Sequence, residues 1–434
     1  MRSKIHFSIT SILTMALLTG AAPLFAGATP AAGSLDRTFD TDGKVTTSFT
    51  KSPGSDEAYA SATQVIQSQE MIVVGGTNYL TRYTSNGSLD STFGSGGITG
   101  TPFPIRALVA QADGKIVAAG LTADTSDLAV ARFNSNGTLD ASFGNGGVVT
   151  VVISTGSDGA LAVAIQADGK IVAAGYAGGI DGFLNFALAR LNANGTLDGG
   201  TQGFGTNGVV TTSISPYHDR IESIAINNVD GSIVVAGGSG GFYGAPIDFA
   251  LARYTSSGVL VGGFGNGGIV VTDFGGFEGV KGVALQTING ELKIVAGGST
   301  QLTGGTDNFA LARYSYLNGG LDSSFGTGGK VITDFFGSTD LAEGLAIQSD
   351  NKIVLAGGAR DDKLGKTFTA VARYTSTGAL DLTFDRDGKV TTDFGYASNI
   401  AMGVLLQAGN KIVAVGYTYI YRVANIFALA RYNP

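Results

Sequence analysis

Residues 341–394 read LAEGLAIQSDNKIVLAGGARDDKLGKTFTAVARYTSTGALDLTFDRDGKVTTDF, and this stretch decides the fold. Its first three runs are short, rich in Val, Ile, Ala and Phe, and bounded by Gly, Asn or Asp, which is the pattern of strands. The run KIVLAG at 352–357 is apolar on both faces, so it predicts a strand sandwiched between neighbours rather than half exposed. After the connection Leu380-Asp381 comes GKVTTDF, where Val390, Thr392 and Phe394 alternate with Thr391 and Asp393. That last strand predicts a wetter edge.

The same unit is written seven times. An Arg closing a small-residue run recurs at Arg82, Arg132, Arg190, Arg253, Arg313, Arg373 and Arg431, spaced by 50 to 63 residues. A Gly closing an Ile-Val run recurs at Gly75, Gly120, Gly175, Gly237, Gly297, Gly357 and Gly416. Leu-Asp-x-x-Phe supplies a third marker, with its carboxylate at Asp36, Asp90, Asp140, Asp198, Asp322 and Asp381. The third repeat stretches this marker to Phe204, and the fourth has Val261 in place of Asp. Periods of this size belong to solenoids, arrays or propellers. One polar strand in four favours an all-β, seven-bladed β-propeller of four-stranded blades, with burial expected to fall from axis to rim. SLDRTFDTDGKVTTSF at 34–49 holds only a connection and a fourth strand, whereas the chain finishes at FALARYNP, a third strand. Pairing Gly43–Phe49 with the strand containing Ala428–Tyr432 is expected to complete the last blade and hide both sheet edges.

The compound motif A-x-A-I-Q-x-D-G-K-I-V-x-A-G followed by F-A-L-A-R-Y-N-x-x-G-x-L-D-x-x-F-G resembles the bacterial delta-60 repeat family over residues 33–434. The first repeat departs most, with Gln67-Ser68-Gln69-Glu70 replacing the Gln-x-Asp-Gly turn. The resemblance implies a propeller in an exported bacterial protein and is tied to no one chemistry.

Composition narrows the function. With no Cys and no Trp in 434 residues, and only His6 and His218, thiolate chemistry, disulfides and histidine metal clusters are excluded. Arg2 and Lys4 precede the uncharged ILTMALLTGAAPLF and then Ala26-Gly27-Ala28, the parts of a signal peptide over residues 1–28. Removing it leaves 25 basic against 34 acidic groups over residues 29–434, the expected propeller domain. An acidic exported chain without a second apolar span is expected to be soluble and monomeric, periplasmic, secreted or at the cell surface. Nucleic acid and anionic membranes are poor partners for it.

Local motifs read as scaffold. Gly203–Gly208 and Gly263–Gly268 spell G-x-G-x-x-G, but a strand follows each where a phosphate site needs a helix. Asn86, Asn136 and Asn194 sit in sequons at one repeat position, as turn-forming Asn-Gly pairs do. Asp40/Asp42 and Asp385/Asp387 resemble half of a calcium loop without its remaining ligands, so neither a metal site nor a cofactor is expected. The arginines and Leu-Asp carboxylates are expected to pair as structural contacts, with the Asp capping a short turn that the Phe plugs.

Function is expected on one face. The loops between blades and those after the second strand emerge on the same side, and there the repeats differ: YAGGIDGFLN, GSGGFYGAPID, GSTQLTGGTDN, GARDDKLGKT and GYTYIYRVAN. That face gathers Phe183, Tyr217, Phe242, Tyr243, Tyr417, Tyr419 and Tyr421 with Asp181, Asp219, Asp248, Asp361 and Asp362. His218, in the between-blade loop Ser215-Pro216-Tyr217-His218-Asp219, joins these ligand-binding candidates and otherwise reads as a solvated loop residue. A glycan, envelope or protein partner held by aromatic anchors and carboxylate acceptors is the expected use. A carbohydrate- or lactone-active enzyme would instead place convergent polar residues at the axis, and a purely structural protein would show neither.

Overall fold

The computed structural model describes residues 30–49, 57–124, 126–241, 247–302, 304–420 and 424–434. The expected leader therefore lies outside the described residues, and the compact unit runs Ala31–Pro434. The unit is all-β, built from antiparallel four-stranded sheets of the propeller type. In the sixth repeat the strands are Asp340–Ile347, Ile353–Asp361, Lys366–Tyr374 and Lys389–Thr392, paired in that order. Five such sheets stand separately. The sixth is joined by a single parallel bridge, Thr367 to Ser398, to a further set: Ser398–Gln407, Lys411–Ile420, Ala424–Tyr432 and Lys44–Thr47. The N-terminal strand thus lies beside the C-terminal one, with Lys44 opposite Ala430 and Thr47 opposite Phe427.

Packing between sheets is continuous. Among the described residues there are seven hydrophobic clusters, each drawn from two successive repeats. One of them joins Ala58, Ile72 and Val74 to Val413, Phe427 and Leu429, with Phe39 and Val45 alongside. Burial does not fall steadily across a sheet as the sequence suggested. It peaks in the second and third strands, such as IVLAGG and AVARY, while the first strand alternates and the fourth is wet. The first strand is open on one side because it faces a cavity.

Each repeat is pinned by its arginine. Nε meets the Leu-Asp carboxylate at 2.7–2.9 Å in the pairs Arg82–Asp90, Arg132–Asp140, Arg190–Asp198, Arg313–Asp322, Arg373–Asp381 and Arg431–Asp36. The guanidinium stacks on the plug phenylalanine at 4.6–4.8 Å. Nη1 of Arg82, Arg132, Arg190, Arg313 and Arg431 donates to a carbonyl of the next repeat, from Ser135, Ala193, Ser256, Ser376 and Ser85 respectively. A planar fork with five donors suits this clamp of carboxylate, carbonyl and ring face, whereas a lysine ammonium has neither a plane to stack nor a fixed fork. The Asp also caps its turn: Asp90 Oδ1 accepts from the Thr92 amide at 3.0 Å. Phe93 is fully buried while Leu89 is 37% exposed, so the phenylalanine alone is the plug. Where Val261 removes the carboxylate, Arg253 stacks on Tyr316 at 3.8 Å, donates to its carbonyl at 3.0 Å, and reaches Asp230 at 3.5 Å.

The glycine marker has a different cause. The first strand carries a β-bulge in every repeat, at Tyr59, Arg106, Leu161, Glu222, Lys281, Glu343 and Met402. The bulge pushes the carbonyl two residues earlier toward the second strand. A Cβ on Gly237 would stand 1.9 Å from the Arg220 oxygen, and one on Gly357 1.9 Å from that of Leu341. Only glycine fits there. In the first and fifth repeats this glycine is Gly76 and Gly298, one residue after the Gly75 and Gly297 that the sequence pattern aligned.

Candidate ligand-binding site

A bulge re-aims one side chain. Here it does so seven times, and the seven bulged residues line one shared cavity of 430 Å³, together with Leu121, Tyr176 and Arg220. Its wall is charged and aromatic. Arg106 stacks over the Tyr59 ring at 4.0 Å. Lys281 stands between two carboxylates, 3.4 Å from Glu343 and 3.8 Å from Glu222, and Arg220 also pairs with Glu222. Burial pushes the Glu343 carboxyl up, and burial draws the Arg106 guanidinium below its ordinary range. These groups are arranged to exchange hydrogen bonds and charge with a polar molecule in a partly desolvated space. A second cavity of 360 Å³ adjoins it, sharing Arg220, Glu222 and Lys281 and adding Leu184, His218, Ile247 and Glu278. A groove of 780 Å³ between the fifth and sixth repeats is walled largely by turn and fourth-strand residues, among them Gly326, Thr327, Lys330 and Gly378.

The expected loop residues are only partly assembled. Phe183 meets Tyr217 at 5.9 Å and His218 at 5.2 Å, both edge to face, making one small aromatic patch. His218 is not a solvated loop residue: it opens the strand His218–Ile226, is half-buried, and accepts a hydrogen bond from the Leu184 amide at its Nδ1. Asp361 and Asp362 belong to another repeat's turn, where Asp361 accepts from the amides of Lys363 and Leu364 and Asp362 from Arg360 and Ser338. Asp181 likewise accepts the Phe183 amide, and Asp219 is buried and caps its own loop. Tyr417 is half-buried and Tyr419 exposed in the last repeat. Phe242, Tyr243 and Tyr421 lie outside the described residues.

The two half-loops of aspartates are turns. Asp42 and Asp387 accept the amides of Lys44 and Lys389, and Asp40 and Asp385 adopt positive φ. The sequons form turns as expected, with Asn136 Oδ1 accepting the Thr138 amide beside Gly137 at φ 88°. Sequence reasoning missed the cavity ring altogether. Its trace was present as one bulky residue lodged beside a small one, as in Ala-Tyr-Ala, Val-Lys-Gly and Ala-Glu-Gly.

Six segments, 71–93, 111–143, 166–200, 230–260, 293–325 and 348–384, match the family model described as a domain of unknown function (DUF5122) β-propeller. The chain is a β-propeller repeat protein. Among solved structures this repeat protein is similar to a protein of unknown function from Dyadobacter fermentans, at 11% identity and TM-score 0.45, over 90% of this chain and 97% of that one. It is similar to a gluconolactonase from Xanthomonas campestris at 11% identity and TM-score 0.37, over 88% and 87%. It is also similar to Chaetomium thermophilum Sqt1, solved bound to the N-terminus of ribosomal protein L10, at 14% identity and TM-score 0.46, over 87% and 88%. No curated protein matches it. Among the described residues no helix is long and apolar enough to cross a membrane.

Proposed function

We propose that this protein is an exported, monomeric, closed seven-bladed propeller that binds a polar ligand at its axis from the variable loop face, an acidic glycan in first place. The observation that carries this reading is the cavity walled by one bulged residue from each of seven repeats. A single cavity touched by all seven first strands, and seven inter-repeat clusters, support a closed ring. Arg106, Arg220 and Lys281 offer donors to an anionic group, Glu222 and Glu343 accept from hydroxyls, and the Tyr59 and Tyr176 rings offer stacking faces. The patch of Phe183 and Tyr217 would then hold the part of the ligand that protrudes. The leader over residues 1–28 and the resemblance to delta-60 repeats support export.

A thermal-shift screen of the secreted protein against neutral and uronic-acid glycans tests this, since a ligand that binds only the folded form raises its Tm. Arg106→Ala and Lys281→Ala should remove the shift while Tyr217→Ala only reduces it. Binding that survives both axial changes and is lost with Tyr217→Ala would move the site to the loops. The enzyme reading keeps one supporting observation, the two carboxylates Glu222 and Glu343 held either side of Lys281. Turnover of a bound glycan or lactone, abolished by Glu222→Gln, would favour it.

A further inference from the structure

The seam between the fourth and fifth repeats holds three carboxylates from three different strand ends. Asp248 is the second residue of Ile247–Tyr254, Asp273 directly follows Ile269–Thr272, and Glu278 is the third residue of Gly276–Ile288. One oxygen of each lies within 4.8 Å of the other two. Glu278 is only 3% exposed, and its Oε2, like Asp248 Oδ1, is buried without a hydrogen-bond partner. Its other oxygen accepts from the Gly276 amide at 2.9 Å and the Thr300 hydroxyl at 3.2 Å. Buried acceptors left in this state cost free energy unless something compensates them.

The neighbouring repeats show what the position ordinarily does. Three residues before the bulge stand Asp158, Asp219, Glu278, Asp340 and Asn399 in the third to seventh repeats. Asp158 and Asp219 each take two loop amides and at least one serine hydroxyl, so they cap the incoming loop with their charge fully met. Asn399 is neutral and donates to the Thr367 carbonyl. Around Asp340 the place of Asp273 is taken by Asp334, but that of Asp248 by the neutral Asn308. Three carboxylates converge only at Glu278 among these five seams. The cap does not need the two extra charges, and they repel.

We propose that Asp248, Asp273 and Glu278 form a binding site for a divalent cation of the calcium type. Calcium takes all-oxygen ligands in flexible geometry, and carboxylates from separate strands satisfy that without a dedicated loop. The 360 Å³ cavity that Glu278 lines gives the ion a route in. Arg220 and Lys281 line it too, but both are engaged by Glu222.

Calcium alone, titrated calorimetrically into the chelator-treated secreted protein, is the test, with Tm read in parallel. Wild type should bind one ion and melt higher with it. Asp273→Asn, an exposed position that should not disturb folding, should weaken calcium binding roughly tenfold or more. Asp334→Asn at the next seam should leave it unchanged. Absence of a calcium-dependent Tm shift, or equal affinity in wild type and Asp273→Asn, overturns the site in favour of a proton shared between Asp248 and Glu278.

Discussion

The hydroxyl of Tyr83 donates to that of Thr47 at 2.8 Å, joining the third strand of the first repeat to a strand made from the chain's opening residues. The same contact recurs between successive repeats as Tyr254–Thr212, Tyr314–Thr272 and Tyr374–Thr333, each at 2.9 Å. The N-terminal strand therefore occupies the place that an internal fourth strand occupies elsewhere. Burial pushes the Tyr83 and Tyr254 hydroxyls up to about 12, so both remain protonated donors.

Tyr83→Phe and Tyr254→Phe should cost the same, about 1 kcal/mol each in urea unfolding, the usual worth of a hydrogen bond. A loss at Tyr254 with none at Tyr83 would mean that the N-terminal strand is undocked in solution.

Gly237→Ala should destabilise by more than about 2 kcal/mol, because its methyl group must displace the Arg220 carbonyl rather than a flexible side chain. The expected structural trace is loss of the bulge that turns Glu222 into the cavity. Circular dichroism melts on Gly237→Ala beside Gly267→Ala, whose added Cβ meets nothing within 4 Å, separate packing from backbone strain.

Buried Arg–Asp pairs make opposite predictions in two repeats. Asp322→Asn leaves Arg313 buried without its counter-charge and should cost about 3 kcal/mol. Val261→Asp should instead stabilise the fourth repeat by about 1 kcal/mol, since Arg253 Nε there is buried without an acceptor. A destabilising Val261→Asp would show that the Tyr316 arrangement leaves no room for the carboxylate.

Stability should depend on pH with two signs. Burial, with Asp334 nearby, pushes Asp340 up to about 7. The folded chain then keeps a proton that the unfolded chain releases near 3.9, so this group's contribution falls as pH rises from about 4 to 7. Asp340→Asn should raise Tm most at about pH 7.5, less at about pH 5, and leave it nearly unchanged below about pH 4. Against the burial that would raise them, hydrogen bonds and neighbouring cations hold Asp36 and Asp381 at about 2. Their stabilisation is present above about pH 4 and disappears as pH falls toward 2. Thermal melts across pH on wild type, Asp340→Asn and Asp381→Asn separate the two.

Much of the architecture could be read from the chain because it follows from period and polarity. KIVLAG and its copies can only be inner strands, and the opening GKVTTSF could only pair with a strand that lacks its neighbour. The Arg–Asp clamp was legible for the same reason, since the two markers keep an offset of 8 residues, or 9 at Arg313–Asp322. The cavity was not, because a bulge slips the alternation by one residue in strands too short to show it; Glu222 and Lys281 became visible only with the pairing register. Arg253 hid its substitute as well, for Tyr316 comes from the following repeat and carries no fixed spacing. His218 read as a loop residue because Pro216 precedes it, yet the strand begins at once.

Lys44–Thr47 is made long before Phe427–Ala430, yet they share one ladder. The ordering cost of bringing such distant segments together falls before their contacts repay it. Lys44–Thr47 must wait, unpaired, until Phe427–Ala430 emerges. Loss of the strand Ala424–Tyr432 should therefore orphan Lys44–Thr47 and Lys411–Ile420 at once, a lesion far more prone to clumping than the loss of an edge strand.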